Sequence, residues 1–115
     1  MKRVLPVALL WLVLVSCRQT TEPPGPLDAT ISASRTTAAR GDTITFIVNA
    51  TGNTLVGVVI DFGDQSGDQF GTGGAHTARV TFKHAYEATG IFTVSAVVTD
   101  AIVGERETTT VVVIN

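Results

Sequence analysis

The side chains with the most chemical reach fall into two short segments. Asp61, Asp64 and Asp68 share a glycine-rich stretch, His84 and Tyr86 follow about twenty residues later, and Asp100 closes the run after them. An imidazole beside carboxylates could move protons as a general acid or base. Three closely spaced aspartates offer hard oxygen donors of the kind calcium takes in sets of about six to eight. Each group also has a plainer use. Asp64 can cap its own turn by accepting from backbone amides, as aspartate does in Gly-Asp bends. His84 and Tyr86 can fasten a corner of the fold by tying a loop to neighbouring backbone. No serine or cysteine stands in a Gly-x-Ser-x-Gly elbow, and the single cysteine, Cys17, lies far away in the chain. His76 and His84 do not form a metal-site spacing. The residues therefore predict no enzyme, no cofactor and no metal centre, with Asp61, Asp64 and Asp68 as the calcium candidates set against turn capping.

These residues need strands to hold them. From Gly90 to Asp100 the chain alternates, with Phe92, Val94, Ala96 and Val98 on one face and Thr93, Ser95, Val97 and Thr99 on the other. A period of two suits a strand with one face on a core and one face wet. The same pattern predicts strands over 29–34, 43–49, 56–62, 77–84 and 107–114. The expected inward residues are Ile31 and Ala33; Ile44, Phe46 and Val48; Val56, Val58, Ile60 and Phe62; and Ala78, Val80 and Phe82. Thr51 to Thr54 reads as a turn, and Gly63 to Ala75 as a long loop with a poor edge strand near Asp68-Gln69-Phe70. About seven short strands separated by turn signals predict an all-β, immunoglobulin-like β-sandwich over residues 27–115, preceded by a cleaved signal helix.

Composition agrees and excludes one class of partner. Charged residues are only 16 % of the 115-residue chain, and there are 11 glycines, as expected of short strands and turns. Losing Lys2 and Arg3 from the eight basic residues leaves six against ten acidic ones. A weakly acidic domain with scattered arginines does not offer the clustered basic face that nucleic acid rewards.

The first 26 residues read as an address and an anchor. Met1-Lys2-Arg3 is basic, and Val4 to Val15 is an apolar run too short to span a bilayer. Leu14-Val15-Ser16-Cys17 resembles the lipobox of bacterial lipoproteins. The resemblance implies a signal peptide over residues 1–16, cleavage before Cys17, and a diacylglyceryl group with acyl chains such as palmitate on its sulfur. Two or three such chains hold a protein durably at a membrane, where one holds it marginally. Arg18 stands where an aspartate would resemble the inner-membrane retention signal, so the implied address is the cell envelope with the outer membrane as default. Residues 17–26 hold three of the four prolines and read as an extended tether.

Two motifs carry a second resemblance. Ile60-Asp61-Phe62-Gly63-Asp64 resembles the WDFGDG signature of PKD domains, and His84-Ala85-Tyr86 with Gly90, Phe92 and Asp100 resembles their HTYxxxGxYxVxxxxxD signature. The chain departs from it at Ile60 for tryptophan, Gln65 for the second glycine and Phe92 for the second tyrosine. The resemblance implies a mostly non-catalytic β-sandwich of surface proteins, found also beside secreted hydrolases, some members of which bind calcium. With so few aromatics, a sugar-stacking platform is not expected. The reading that follows is a lipid-anchored envelope protein whose domain binds an envelope protein or polysaccharide, or acts as a spacer. The alternative is an accessory module that docks a secreted hydrolase or its substrate.

Overall fold

The computed structural model describes residues 27–115, so the expected signal peptide, Cys17 and the tether lie outside the described residues. Six strands follow in order: β1 (Asp28–Ala33), β2 (Thr37–Ala38), β3 (Thr43–Asp61), β4 (Gly67–Ala85), β5 (Gly90–Asp100) and β6 (Gly104–Ile114). The fold is an all-β, immunoglobulin-like sandwich. Its hydrogen-bonded path is β1-β3-β5-β6-β2, with β4 attached to β3.

The strands β3 and β4 form one long antiparallel hairpin, from Thr43 opposite Ala85 to Asp61 opposite Gly67. Its register slips between Thr51 and Leu55 and again between Leu55 and Gly57. Before the slip, β3 pairs with β1, as Asp28 to Thr51 and Ala33 to Phe46. After it, β3 pairs with β5, as Leu55 to Asp100 and Asp61 to Ser95. The ribbon folds over at this irregularity and contributes to both layers, which brings the rings of Phe46 and Phe62 to 5.6 Å. In the second layer β5 pairs with β6 from Gly90–Ile114 to Asp100–Gly104. There β2 adds a short parallel edge, Thr37 beside Val113.

The layers meet through the predicted alternation. Ile44, Phe46, Val48, Val58, Ile60, Val80, Phe82, Val94, Ala96, Val98, Val112 and Ile114 are buried, and Ile31, Ala33, Ala78 and Phe92 pack against them. Burying each large aliphatic or aromatic side chain contributes roughly 1.5–3 kcal/mol.

Three sequence expectations need correction. The segments 43–49 and 56–62 are one strand, because Thr51 to Thr54 is a kink at which the ribbon changes layers and not a turn that ends pairing. Gly63 to Ala75 is mostly the first half of β4. Its side chains are largely exposed, so it has no hydrophobic period, yet its backbone pairs with β3 from Gly67 onward. Val56 faces solvent at 52 % exposure while Leu55 is fully buried, because the extra residue at the register slip shifts which side chain points inward.

The fold thus has two ends. Residue 27, the 52–54 kink and the β5–β6 turn at 101–103 lie at one, here the proximal end. The β3–β4 turn at 62–66, the 86–89 turn and residue 115 lie at the other, the distal end.

Candidate functional site

The two sequence motifs converge at the distal end. Ile60 is buried in the core, and the turn after it is built by its own carboxylates. Asp61 Oδ1 accepts from the Gly63 amide at 2.8 Å, and the Phe62 amide donates to the Ser66 carbonyl at 3.0 Å. Gly63 has φ +86°, and a Cβ there would collide with the Thr93 carbonyl, so glycine is required on both counts. Asp64 Oδ1 accepts from the Ser66 amide at 3.2 Å and from the Ser66 hydroxyl. Its Oδ2 meets His84 Nε2 at 2.7 Å.

The aromatic groups form a continuous stack across this end. The Phe62 ring lies parallel to His84 with centroids 4.1 Å apart. His84 meets Tyr86 edge-on at 4.6 Å, and Tyr86 stacks on Phe92 at 4.6 Å. Tyr86 is fully buried, and its hydroxyl donates to the Phe62 carbonyl at 2.7 Å. Burial, reinforced by the charges of Asp64 and Asp61, pushes the phenol above its ordinary pKa. For Asp64, burial works against the charge, but the hydrogen bonds from Ser66 and His84 outweigh it and hold the carboxyl below its usual range.

Asp64, Ser66, His84, Tyr86, Glu87 and Phe92 line a cleft of about 330 Å³. Serine, histidine and aspartate together invite comparison with a nucleophile relay. In a relay the two imidazole nitrogens divide the work, one holding the carboxylate and the other facing the hydroxyl. Here the Ser66 hydroxyl lies 3.4 Å from the same Nε2 that holds Asp64, and the hydroxyl is itself tied to the carboxylate. The cluster fastens the turn.

Asp100, expected to belong with the same motif, sits at the opposite end. It is the one buried charged residue among those described, at 2 % exposure. Its Oδ2 accepts from the Asn53 and Thr54 amides at 2.6 and 2.7 Å. Its Oδ1 accepts from Ile102 and Val103 at 2.8 and 3.0 Å. Burial opposes its ionisation, but the amides of Val103, Ile102, Thr54 and Asn53 outweigh burial and hold its pKa at about 2. One carboxylate therefore staples the β3 kink to the β5–β6 turn. Gly52 makes room for it, since a Cβ there would lie 2.6 Å from Oδ2.

Asp68 Oδ1 accepts from the Gln69 amide at 2.8 Å. Asp61 and Asp64 thus accept from amides of their own turn, and Asp68 from its neighbour in β4. No group of three His, Cys, Asp or Glu that could hold a metal occurs among the described residues. His84 differs from expectation in bonding a side chain, Asp64, and not backbone. His76 Nδ1 lies 2.6 Å from the Asn53 carbonyl at the proximal kink. Sequence reasoning missed Ser66, whose signal was its place two residues after Asp64, a spacing typical of an Asx turn. It also missed the contact of Asn53 and Thr54 with Asp100, which runs through their backbone amides and leaves no side-chain signal.

The family model described as PKD domain matches residues 28–113. Among curated proteins none matches the chain. Solved structures with the same fold include the PKD domain of an M14-like peptidase from a Thermoplasmatales archaeon. It has a TM-score of 0.69 and 20 % identity over 79 % of this chain and 97 % of that one. A CARDB domain from Pyrococcus furiosus, solved in complex with di-metal ions, aligns with a TM-score of 0.61 and 15 % identity over 83 % and 97 % of the two chains. The PKD domain of the human receptor SorCS2 aligns with a TM-score of 0.56 and 21 % identity over 89 % and 82 %.

Proposed function

We propose, given that the chain belongs to the PKD domain family, that it is a lipid-anchored envelope protein whose sandwich is a non-catalytic binding or spacer module. PKD domains are typically non-catalytic modules of extracellular proteins. The observation that carries the reading for this chain is the wiring of the Asp64–Ser66–His84 cluster. Its hydrogen-bonding groups are turned on one another, with Asp64 and Ser66 on a single imidazole nitrogen, and the Ser66 hydroxyl is tied to the Asp64 carboxylate. The anchor rests on the lipobox at Leu14-Val15-Ser16-Cys17. Its acyl chains would bury enough methylenes for durable attachment, in the outer membrane of a two-membrane host.

A second reading is favoured by one comparison: a domain of the same fold is part of an M14-like peptidase. On that reading the module docks a secreted hydrolase or its substrate at the surface. Passing a solubilised envelope extract over the immobilised full-length protein separates the two. Specific retention of a hydrolase or its polymer supports docking. Retention of a non-hydrolytic envelope protein or glycan supports the binding module. Turnover of peptide, ester or glycoside substrates by the purified chain would overturn both.

A further inference from the structure

We propose that the β5–β6 turn, Ala101-Ile102-Val103, is a second membrane contact that seats the sandwich end-on against the lipid surface. The inference rests on the lipid-anchored reading and goes beyond it by assigning the orientation of the domain and the residues that set it.

Exposure and position point the same way. Ile102 is 60 % exposed and Val103 39 % exposed, adjacent residues at the tip of a tight turn where polar side chains are the rule. The turn shares the proximal end with the point where the chain enters the domain. Asp28 pairs with Thr51, and Gly52 separates the two structures: a Cβ there would lie 3.2 Å from Leu27 Cδ1 and 2.6 Å from Asp100 Oδ2. Ten residues, 17–26, join the lipidated cysteine to Leu27 and reach at most ~35 Å when fully extended. The proximal end is therefore held within one tether length of the bilayer, at a high effective concentration.

The turn is also formed in advance. Asp100 Oδ1 accepts from both the Ile102 and the Val103 amides, and its other oxygen is fixed to the β3 kink. Little order would have to be imposed on the turn at the surface. Charged and polar groups surround the turn at this end: Arg106 pairs with Asp28 at 3.5 Å, and Glu105 on β6 and His76 on β4 are exposed. Two aliphatic side chains make a weak contact alone, so the contact operates through the anchor that delivers it.

The test uses the full-length lipidated protein in phosphatidylcholine vesicles. Acylation blocks the Cys17 sulfur, so Ile102→Cys introduces the only free thiol for an environment-sensitive fluorophore. Val111→Cys, exposed on β6 toward the distal end, is the control. The expected result is blue-shifted emission at position 102 and several-fold stronger quenching there by nitroxide-labelled lipid than at position 111. Equal, water-like quenching at both positions in protein that floats with the vesicles would overturn the contact and leave the anchor standing. Protein that fails to float would overturn the anchor and the contact with it.

Discussion

The Tyr86 hydroxyl donates to the Phe62 carbonyl at 2.7 Å, a bond across 24 residues that joins the two motifs at a fully buried site. It makes the phenol a structural fastening with separable parts. Tyr86→Phe keeps the ring stacked on Phe92 but leaves a buried carbonyl without a donor, which costs about 1–3 kcal/mol. Tyr86→Ala also opens a cavity and costs about 3–5 kcal/mol. Urea midpoints of the two variants check the order. A Tyr86→Phe midpoint equal to the wild type would mean that the hydroxyl contributes nothing.

The pH dependence of stability is expected to report Asp100. Its folded pKa of about 2 lies below the ordinary value of 3.8, so the unfolded chain binds the proton more readily. The stabilisation is therefore present above about pH 4 and is lost as pH falls toward 2. Asp64, also depressed, adds in the same direction. Denaturant midpoints between pH 5 and pH 2 should fall in the wild type and fall less steeply in Asp100→Asn, which is less stable at neutral pH. Parallel pH profiles for the two proteins would contradict the role given to the carboxylate.

Much of this was legible in the sequence, and the reasons differ by element. The strand from Gly90 to Asp100 announced itself because one face is buried and the other wet, so its period of two is unbroken. The first half of β4 did not, because Gly67 to Ala75 pairs by backbone while its side chains stay mostly exposed. The β3 kink looked like a turn since Gly52 and Asn53 are turn residues, and nothing local reveals that a carboxylate 46 or 47 residues away accepts the amides there. For the same reason Asp100 reads together with His84 and Tyr86 in the second motif, although it belongs to the opposite end. Sequence motifs record that residues matter to one fold, and strand direction decides which of them meet.

Gln65 stands where the family signature has its second glycine, and its φ is +72°. Left-handed backbone costs a non-glycine residue about 1–2 kcal/mol, and glycine returns about 0.5–1 kcal/mol of that as extra unfolded-state entropy. Gln65→Gly is therefore expected to stabilise the domain by roughly 0.5–1 kcal/mol. Gly63→Ala, which meets both a positive φ and the Thr93 carbonyl, should destabilise by about 2–4 kcal/mol. Thermal melts of both variants decide the matter, and a destabilised Gln65→Gly would show that the glutamine side chain contributes in a way the backbone does not reveal.

Calcium is expected to leave the protein unchanged. Asp61 and Asp64 accept hydrogen bonds within their own turn, Asp68 accepts from the next amide of β4, and His84 occupies Oδ2 of Asp64. Melting temperatures with millimolar calcium and with chelator should coincide. A rise on adding calcium that Asp64→Asn abolishes would establish a site in this turn.

Intact-mass measurement of the protein recovered from envelope membranes tests the central claim most directly. The account predicts a mature chain that begins at Cys17 and carries the mass of a diacylglyceryl group, with or without an amide-linked acyl chain. Processing should be blocked by globomycin, and Cys17→Ser should remove both the added mass and membrane fractionation. A wild-type chain recovered in the soluble fraction, cut elsewhere and bearing an unmodified cysteine, would contradict it.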